Sequence, residues 1–487
     1  MRVLILTEGT YPYYRGGVST WIHNLIKGLQ DVDFYILSLV TNPFVKPLYN
    51  LPPNVKELIT VPLWGTIWVE EYSSFPRGRL IKRRPIRGSA SVKDLFVPYF
   101  QELLFEMIKG NPSYKKMSEY LYGLWSFLRE YDYRRAFRER KLWSAIIQLV
   151  KEDPLYSAMS LRSFLRILEA IKRMMLILTV EMPEVDVLHS SVASLSGLPA
   201  IIEKMDKGCP YLITEHGVYY RERLLELMRR SEDLASKTLW VNIYKSIVGL
   251  NYYHADKVLP VCRFNARWEG LFGVSAEKVE VIYNGVDVER FKPLEGLEEE
   301  KLIVVVSRIE KLKDTLNLIE ALRFVLEEDG EVRCEVYGPI VDKTYYELCL
   351  RRIKELGIED AISFMGPTPR PEIEYNRATL VVLPSLSEGF PYSVIEAMAC
   401  GKLVIATSVG GVPEALRGCG ILVPPRSPRL LADAILKGLR DERLRRELGA
   451  RARRRVLRLF TKERFLEDYR RVYVEALSNL KFDTPPL

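Results

Sequence analysis

Residues 388–396 read Glu388-Gly-Phe-Pro-Tyr-Ser-Val-Ile-Glu396, and no other stretch of this chain is as informative. They follow an apolar segment, Thr379-Leu-Val-Val-Leu-Pro384, that is typical of a buried strand, and they lead into an apolar helix. This order places both glutamates near the carboxyl end of a strand and the amino end of a helix. Open α/β sheets bind ligands at such positions, and helix amino termini favour phosphate. Two acids there suit a ligand that carries hydroxyls and phosphates, such as a nucleotide-sugar.

The chain alternates apolar strands with helical stretches on both sides of residues 284–287, which predicts two parallel α/β domains. Its 487 residues agree with two large domains. In the first half we predict strands at Val3–Leu6, Phe34–Leu39, Val185–Leu188, Tyr211–Thr214, Lys257–Val261 and Val279–Ile282. In the second half we predict strands at Lys301–Val306, Arg333–Tyr337, Ala361–Phe364, Leu380–Leu383, Leu403–Ala406 and Ile421–Val423.

Residues from about 62 to 180 break this rhythm, because they carry long helical patterns and many aromatic residues. We interpret them as a helical insertion into the first domain. Between residues 77 and 93 the segment holds seven arginines and lysines and no acidic residue. A solvated basic loop and a contact with anionic lipid or acidic polysaccharide are both compatible with that pattern.

The composition describes a folded protein, with 48% hydrophobic residues and a modest net charge of +8. The six cysteines are dispersed and form no Cys-x-x-Cys pair, which argues against a zinc site and fits a reducing cytoplasm. The first residues, Met1–Thr7, are interpreted as a strand rather than a signal peptide. No apolar run approaches the roughly 20 residues needed to span a bilayer, and no nucleic-acid motif is present. We therefore expect a cytoplasmic protein.

Arg308 and Lys313 follow a predicted strand at a spacing of five residues. Two cations there could stabilise the negative charge that grows on a leaving diphosphate. Glu396 could accept both vicinal hydroxyls of a ribose, and Glu388 could accept hydroxyls of a transferred sugar. The alternative is that both glutamates are exposed surface residues. Backbone amides around Gly389, Phe390 and Pro391 could donate to phosphate or sugar oxygens.

Two pairs of adjacent glycines stand in predicted loops. Gly410 and Gly411 follow the strand Leu403–Ala406 and would let backbone approach a ligand closely, although a simple turn is the alternative. Gly16 and Gly17 lie between the first strand and the first helix, where they would bring helix amides towards a ligand. Neither pair forms the G-x-G-x-x-G dinucleotide fingerprint.

Two of the four histidines end predicted strands. His216, in Thr214-Glu-His-Gly217, is expected to face the ligand site, with a structural role as the alternative. For His189 the functional and structural interpretations are equally open. His23 and His254 lie on or near helices and receive no site role.

Together these residues resemble the GT-B architecture, specifically glycosyltransferase family 4. The motifs are Gly16-Gly17, Glu215-His216-Gly217, Arg308, Lys313, Glu388-x7-Glu396 and Gly410-Gly411, and they span nearly the whole chain. The stretch Thr214–Glu222 and the long insertion look like the PelF-like branch, which is associated with exopolysaccharide synthesis.

The resemblance implies an α/β fold of two Rossmann-like domains that face a cleft. The first would span residues 1–286 on the acceptor side, the second residues 287–464 with the nucleotide-sugar, and a C-terminal helix from about 465 to 487 would cross back. Arg308 and Lys313 would hold the diphosphate, Glu396 the ribose and Glu388 the donor sugar. His216 would lie beside the reacting sugar.

The resemblance also implies transfer with retention of anomeric configuration, no bound metal and no cofactor. The one clear Asp-x-Asp, Asp31-Val-Asp33, precedes the second strand, at the wrong end of the sheet for the ligand. Retention in carboxylate glycosidases needs a protein nucleophile, and no side chain here is a compelling one. The implied route is front-face attack, in which a donor phosphate oxygen takes the acceptor proton.

The leading hypothesis is hexose transfer from a nucleoside-diphosphate sugar, UDP-sugar foremost, to a saccharide or lipid-linked acceptor. A nucleotide-sugar 2-epimerase and a non-catalytic polysaccharide-assembly subunit are the alternatives. Expected partners are the donor, the acceptor and a peripheral contact with a membrane or a polysaccharide-synthase complex, without nucleic acid.

Overall fold

The computed structural model describes residues 1–65, 92–131 and 136–479 and divides the chain into two compact units. The first unit contains Met1–Pro260, Trp268–Glu280 and the chain from Arg470 onward. The second unit contains Val261–Arg267 and Val281–Tyr469. The helix Lys462–Asn479, part of which we assigned to a C-terminal crossing, therefore begins in the second unit and ends in the first.

The first unit is built on a six-stranded parallel sheet whose order is β3-β2-β1-β4-β5-β6. In β1 every residue from Val3 to Thr7 is buried, as expected for a parallel strand that helices cover on both faces. Chain order reverses between the neighbouring strands β1 and β4, which makes their carboxyl ends the switch point of this sheet. Its strands are β1 Arg2–Glu8, β2 Asp33–Val40, β3 Val55–Pro62, β4 Val187–Ser190, β5 Tyr211–Glu215 and β6 Lys257–Pro260.

Helices between the strands account for most of the rest of this unit. Local capping fixes several of their amino ends, for example where the Ser160 and Asp233 side chains accept hydrogen bonds from backbone amides of the following turn. The helices are Gly17–Gly28, Val97–Ile108, Tyr114–Glu130, Arg140–Glu152, Pro154–Ser157, Leu161–Leu176, Leu198–Lys207, Tyr219–Arg229, Leu234–His254 and Arg263–Leu271, the last of which crosses from the second unit into the first. No helix among the described residues is both long and apolar enough to cross a bilayer.

One strand prediction in the first half is wrong, and one strand was missed. Val279–Ile282 forms no strand, because Val279 makes only an isolated bridge with Val258. The strand β3, Val55–Pro62, was not predicted. It contains Lys56, Glu57 and Thr60 and lies at the edge of the sheet, where half-exposed positions weaken the apolar pattern. The basic segment 77–93 lies outside the described residues except for its last positions.

The second unit repeats the same topology, with the order β12-β11-β10-β7-β8-β9 and every pair parallel. Its switch point lies between β7 and β10. The strands are β7 Leu302–Val306, β8 Arg333–Tyr337, β9 Ile362–Gly366, β10 Leu380–Leu383, β11 Val404–Thr407 and β12 Ile421–Val423. The helices are Thr315–Glu328, Lys343–Leu356, Pro371–Arg377, Tyr392–Ala399, Val412–Ala415, Pro428–Arg440, Glu442–Leu459 and Lys462–Asn479.

Candidate active site

The loops that follow β7 and β10 meet at the switch point of the second sheet. The backbone amide of Leu386 donates to the carbonyl of Leu312 at 2.8 Å, which ties the two loops together. This contact brings Lys313, which ends a short 3-10 turn after β7, to Glu388, which follows β10. Side chains 75 positions apart in sequence therefore meet because β7 and β10 are neighbours in the sheet.

Lys313 and Glu388 form an ion pair with 2.6 Å between Nζ and Oε1. Only 16% of the lysine side chain and 7% of the glutamate side chain are exposed. The hydroxyl of Ser385 donates to the same carboxylate oxygen at 2.6 Å, and Ser385 is itself buried. Because water reaches this pair so little, its charges are stabilised mainly by these two hydrogen bonds. An anionic ligand that reached Lys313 would compete with its bond to Glu388.

Glu396 lies in the helix Tyr392–Ala399, one turn into it, and accepts a hydrogen bond at 3.0 Å from the hydroxyl of Tyr375. Burial raises the pKa of Glu396 to about 7, while the Tyr375 hydrogen bond and the charge of Arg290 act to lower it. A carboxyl group that titrates near neutral pH at a sheet switch point is a sign of a ligand site. The interpretation of Glu388 and Glu396 as freely exposed surface residues therefore does not fit their surroundings.

Arg308 lies apart from these contacts. Its guanidinium pairs with Glu310 at 2.8 Å, and nearly half of its side chain is exposed. No described contact joins it to Lys313 or Glu388. The structure thus pairs Lys313 with Glu388. Arg308 lies on the same loop after β7 as Lys313, and it pairs with Glu310 instead.

Gly410 and Gly411 pack directly against the loop that carries Glu388. The Gly411 amide donates to the Gly389 carbonyl at 2.8 Å, and a Cβ built on Gly410 would lie 1.7 Å from the Glu388 carbonyl oxygen. Gly410 also has a φ of +55°, which L side chains rarely adopt. We expected the backbone of Gly410 and Gly411 to approach a ligand closely. In this structure it approaches the backbone of the Glu388 loop.

The rest of the segment between the two glutamates supports the helix start. Phe390 is buried against Tyr283 and Phe460, and its carbonyl accepts a hydrogen bond from Asn284 at 2.8 Å. Pro391 is the residue before the helix. The ligand contacts that we expected from the backbone of this segment stay a prediction.

In the first unit His216 follows β5 directly, and its ring packs edge-on against Trp21 with 4.7 Å between ring centroids. The residue is partly exposed, but its Nε2 atom is buried and has no hydrogen-bond partner among the described residues. Burial lowers the pKa of His216 to about 3, so the imidazole is neutral near pH 7. A neutral ring with one unused nitrogen can donate to or accept from a ligand hydroxyl.

His189 differs from His216 in that both of its nitrogens are engaged. Nδ1 lies 2.7 Å from the Tyr473 hydroxyl, and Nε2 lies 2.8 Å from Oγ1 of Thr214, all in the interior. His189 thus has a structural role.

Gly16 and Gly17 lie at the start of the helix Gly17–Gly28, and a Cβ at Gly16 would meet no atom within 4 Å.

Sequence reasoning missed several residues of these sites. Ser385 and Tyr375 orient the two glutamates. Glu215, which belongs to the predicted motif with His216, ends β5 and accepts from the Ala193 amide at 2.9 Å and the Tyr252 hydroxyl at 3.0 Å. Glu8, the last residue of β1, lies at the switch point of the first sheet, where burial raises the pKa of its carboxyl group. Glu8 and Ser385 each stand at or just after the end of a strand. That position is the sequence signal that could have identified them as site residues.

Two family models match the chain. The model described as "Domain of unknown function (DUF3492)" covers residues 1–277, and the model described as "Glycosyl transferases group 1" covers residues 287–455. The boundary between them falls next to residues 284–287, which separate the two predicted α/β domains.

The chain spans about half the length of the curated relatives that it matches. A D-inositol 3-phosphate glycosyltransferase of Streptomyces bingchenggensis is 34% identical over 205 residues, which are 37% of this chain and 44% of the relative. An N-acetyl-alpha-D-glucosaminyl L-malate synthase of Bacillus anthracis is 31% identical over 208 residues, which are 42% of this chain and 53% of the relative.

Solved structures match nearly the full length. HepE of Anabaena, crystallised with UDP and glucose, has a TM-score of 0.60 at 16% identity, with 96% of this chain and 98% of HepE covered. Sucrose-phosphate synthase of Thermosynechococcus elongatus has a TM-score of 0.62 at 17% identity, with 98% and 99% covered. At these identities the likeness concerns the fold, and the predicted GT-B fold class is confirmed. The chain belongs to the DUF3492 family, and its residues 287–455 match the glycosyl transferases group 1 family.

Proposed function

We propose that this protein is a glycosyltransferase that moves a hexose from a UDP-sugar to a saccharide or lipid-linked acceptor. The observation that carries the proposal is the Lys313–Glu388 ion pair at the switch point of the second sheet, with the Glu396 carboxyl held on the helix that follows. The match of residues 287–455 to group 1 glycosyl transferases supports it. So do the names of the curated relatives and the UDP bound in the HepE structures.

The donor would take over contacts that the side chains now make with each other. A diphosphate would draw Lys313 away from Glu388 and could draw Arg308 from Glu310, because phosphate offers each cation a stronger charge partner. Glu388 would then keep the Ser385 hydroxyl as donor and accept hydroxyls of the sugar. Glu396 would accept the ribose hydroxyls, and amides at the start of the helix Tyr392–Ala399 would face the phosphates.

The finer points of the proposal follow the family resemblance. Transfer would proceed with retention and without a metal, and His216 would contact the reacting sugar as a neutral imidazole. We place the protein in the PelF-like branch and in exopolysaccharide or cell-surface glycan synthesis, at the cytoplasmic side of the membrane. Gly16 and Gly17 would present the amides of the first helix to the donor.

The test is a product assay with a panel of nucleotide-sugars and a mixture of saccharide acceptors. Proton NMR of the first-formed product reads the anomeric configuration, and an α-linked product from an α-linked donor is expected. Addition of EDTA should leave the rate unchanged. Glu388→Gln is the variant that should abolish transfer, with Glu327→Gln, an exposed glutamate of the same unit, as the matched control.

The same assay separates the alternatives. UDP-N-acetylglucosamine converted to its 2-epimer without an acceptor would identify an epimerase instead. UDP binding with neither transfer nor donor hydrolysis for any donor would indicate an assembly subunit. An inverted product would contradict the retaining mechanism while leaving transferase activity in place.

A further inference from the structure

Exposed apolar side chains cluster where three helices of the first unit end or begin. Leu161 is 71% exposed, Met228 71% and Leu234 72%, and each stands at or near a helix terminus. Exposed arginines lie next to them in the chain. We call this the leucine–arginine surface, and its members are Leu161, Arg162, Leu165, Arg166, Met228, Arg229, Arg230 and Leu234.

A hydrogen bond joins two of these helix ends. The Ser163 hydroxyl, in the first turn of the helix Leu161–Leu176, donates to Oδ2 of Asp233 at 3.2 Å. Asp233 caps the helix Leu234–His254 by accepting from the Ser236 amide at 2.8 Å. The helix Tyr219–Arg229 ends only four residues before that cap. The hydrogen bond thus joins two of the three termini, and a short chain segment connects the third to them.

The helix Leu161–Leu176 carries more apolar surface than its packing uses. Phe164, Ile167 and Ile171 are buried in the core. On the outer side, Leu161 and Leu165 form one row at a spacing of four, and Arg162 and Arg166 form the next row. Leucines on the outer side of this helix contribute nothing to the core. A contact outside the unit that buries them would explain their presence.

The surface has basic charge that the described residues do not neutralise. Arg162, Arg166 and Arg229 form no ion pair within the described ranges. Of the acids near Arg229 in the chain, Glu226 and Glu232 pair with Arg230, and Asp233 is the helix cap. The basic segment at 77–93 carries the same sign of charge, which disfavours it as a cover for this surface.

We propose that the leucine–arginine surface rests on an anionic phospholipid bilayer. Leu161, Met228 and Leu234 would enter the boundary between headgroups and acyl chains, and the arginines would contact lipid phosphates. A protein partner fits less well, because the residues that dominate binding at protein interfaces are enriched in tryptophan and tyrosine within packed pockets, and leucine is under-represented among them. Here the apolar groups are aliphatic side chains that stand out at helix ends. The inference is independent of the donor site and of the proposed reaction.

Flotation of the full chain with lipid vesicles tests the proposal. Vesicles of equal parts phosphatidylglycerol and phosphatidylcholine should carry the protein, and binding should weaken as salt is added. Vesicles of phosphatidylcholine alone should carry much less. No binding to the anionic vesicles, or equal binding to both kinds, would overturn the proposal.

Variants separate this surface from nonspecific adsorption. The triple change Leu161→Ser, Met228→Ser and Leu234→Ser should weaken binding roughly tenfold or more, on the scale of interfacial apolar burial. Arg162→Gln with Arg166→Gln should weaken binding and reduce its salt dependence. Leu271→Ser is the control, because Leu271 is 77% exposed on the same unit but lies away from this surface in sequence.

Two further measurements separate a membrane contact from misfolding and from self-association. The thermal melting temperature of each variant should equal that of the parent, which shows that the protein is folded. The oligomeric state is measured by light scattering. If the triple variant turns an oligomer into a monomer, or if all variants bind vesicles as the parent does, the surface is not a membrane contact and the proposal fails.

Discussion

Nζ of Lys313 lies 2.6 Å from Oε1 of Glu388, and the Ser385 hydroxyl donates to the same oxygen. The pair joins the loops after β7 and β10, the two strands at which chain order reverses. A ligand that binds one of these side chains must therefore change the partner of the other. This coupling makes the pair the first target for mutation.

Lys313→Met should lower transfer by about 10²–10³-fold, because the cation aimed at the leaving diphosphate is lost. It should also destabilise the second unit by about 1–3 kcal/mol, since a nearly buried carboxylate keeps only Ser385 as partner. Adding Glu388→Gln should restore most of that stability but no activity. Chemical denaturation and turnover of both single variants and the double variant form the cycle. Additive stability changes would show that the pair is not coupled.

Gly410→Ala should reduce transfer sharply, since its Cβ would overlap the Glu388 carbonyl oxygen and push the loop away. Gly418→Ala is the matched control, because Gly418 also has a positive φ, +71°, but a Cβ there meets no atom within 4 Å. Both variants carry the same kind of backbone strain, and only the first displaces the site. Equal turnover in the two variants would contradict a positioning role for Gly410.

Tyr375→Phe should shift the pH dependence of UDP binding to higher pH. The pKa of Glu396 is about 7, and the Tyr375 hydrogen bond acts to lower it, so loss of the hydroxyl raises it further. If the ionised carboxylate accepts the ribose hydroxyls, affinity rises as pH passes through that pKa. Calorimetric titration with UDP across neutral pH measures the midpoint. Tyr345→Phe, which loses a buried hydroxyl bonded to the Leu316 amide, should leave the midpoint unchanged.

The two strand-end histidines should respond differently to substitution. His216→Ala should lower transfer with little change in stability, because Nε2 has no partner among the described residues. His189→Ala should destabilise the first unit by about 2–4 kcal/mol, because Tyr473 and Thr214 lose a buried partner. Thermal melts and turnover at saturating donor distinguish the two. A large loss of stability in His216→Ala would assign that residue to structure.

Glu269 should make the stability of the first unit depend on pH. It is fully buried without a described partner, and burial raises its pKa to about 8. A raised folded pKa means that the contribution is fully present below the unfolded pKa of about 4.3 and is lost as pH rises through 8. Glu269→Gln should flatten this decline in denaturation experiments, at about 1.4 kcal/mol for each pKa unit. Glu215, whose pKa burial and Glu269 also raise, should leave a residual slope.

The control for Glu269 is Glu181→Gln, which removes an exposed carboxyl of the same unit. Its denaturation curves should follow the parent at every pH. A parent stability that stays constant between pH 6 and pH 9 would contradict the assignment of Glu269, since the titration about pH 8 falls within that window.

Periodicity alone located eleven of the strands in the described part of the chain, because buried parallel strands are short, continuous apolar runs. It failed at β3, whose polar edge positions hide the run, and at Val279–Ile282, where an apolar run pairs through a single bridge. The apolar helix that was predicted after Glu388 forms at Tyr392–Ala399, directly after Pro391. Partners such as Ser385 and Tyr375 could not be predicted, because a serine or a tyrosine carries no periodic signal.

The sequence by itself determined the fold class and the residues at strand ends, because local patterns specify strands and helices and chain order limits the ways in which parallel sheets can be wound. Tertiary structure alone decided which of those residues meet. Lys313 reaches Glu388, Arg308 turns to Glu310, and His189 is bonded at both nitrogens while His216 is not. The physical reason is that hydrogen-bond distances depend on strand neighbours and loop packing, and these join residues that lie far apart along the chain.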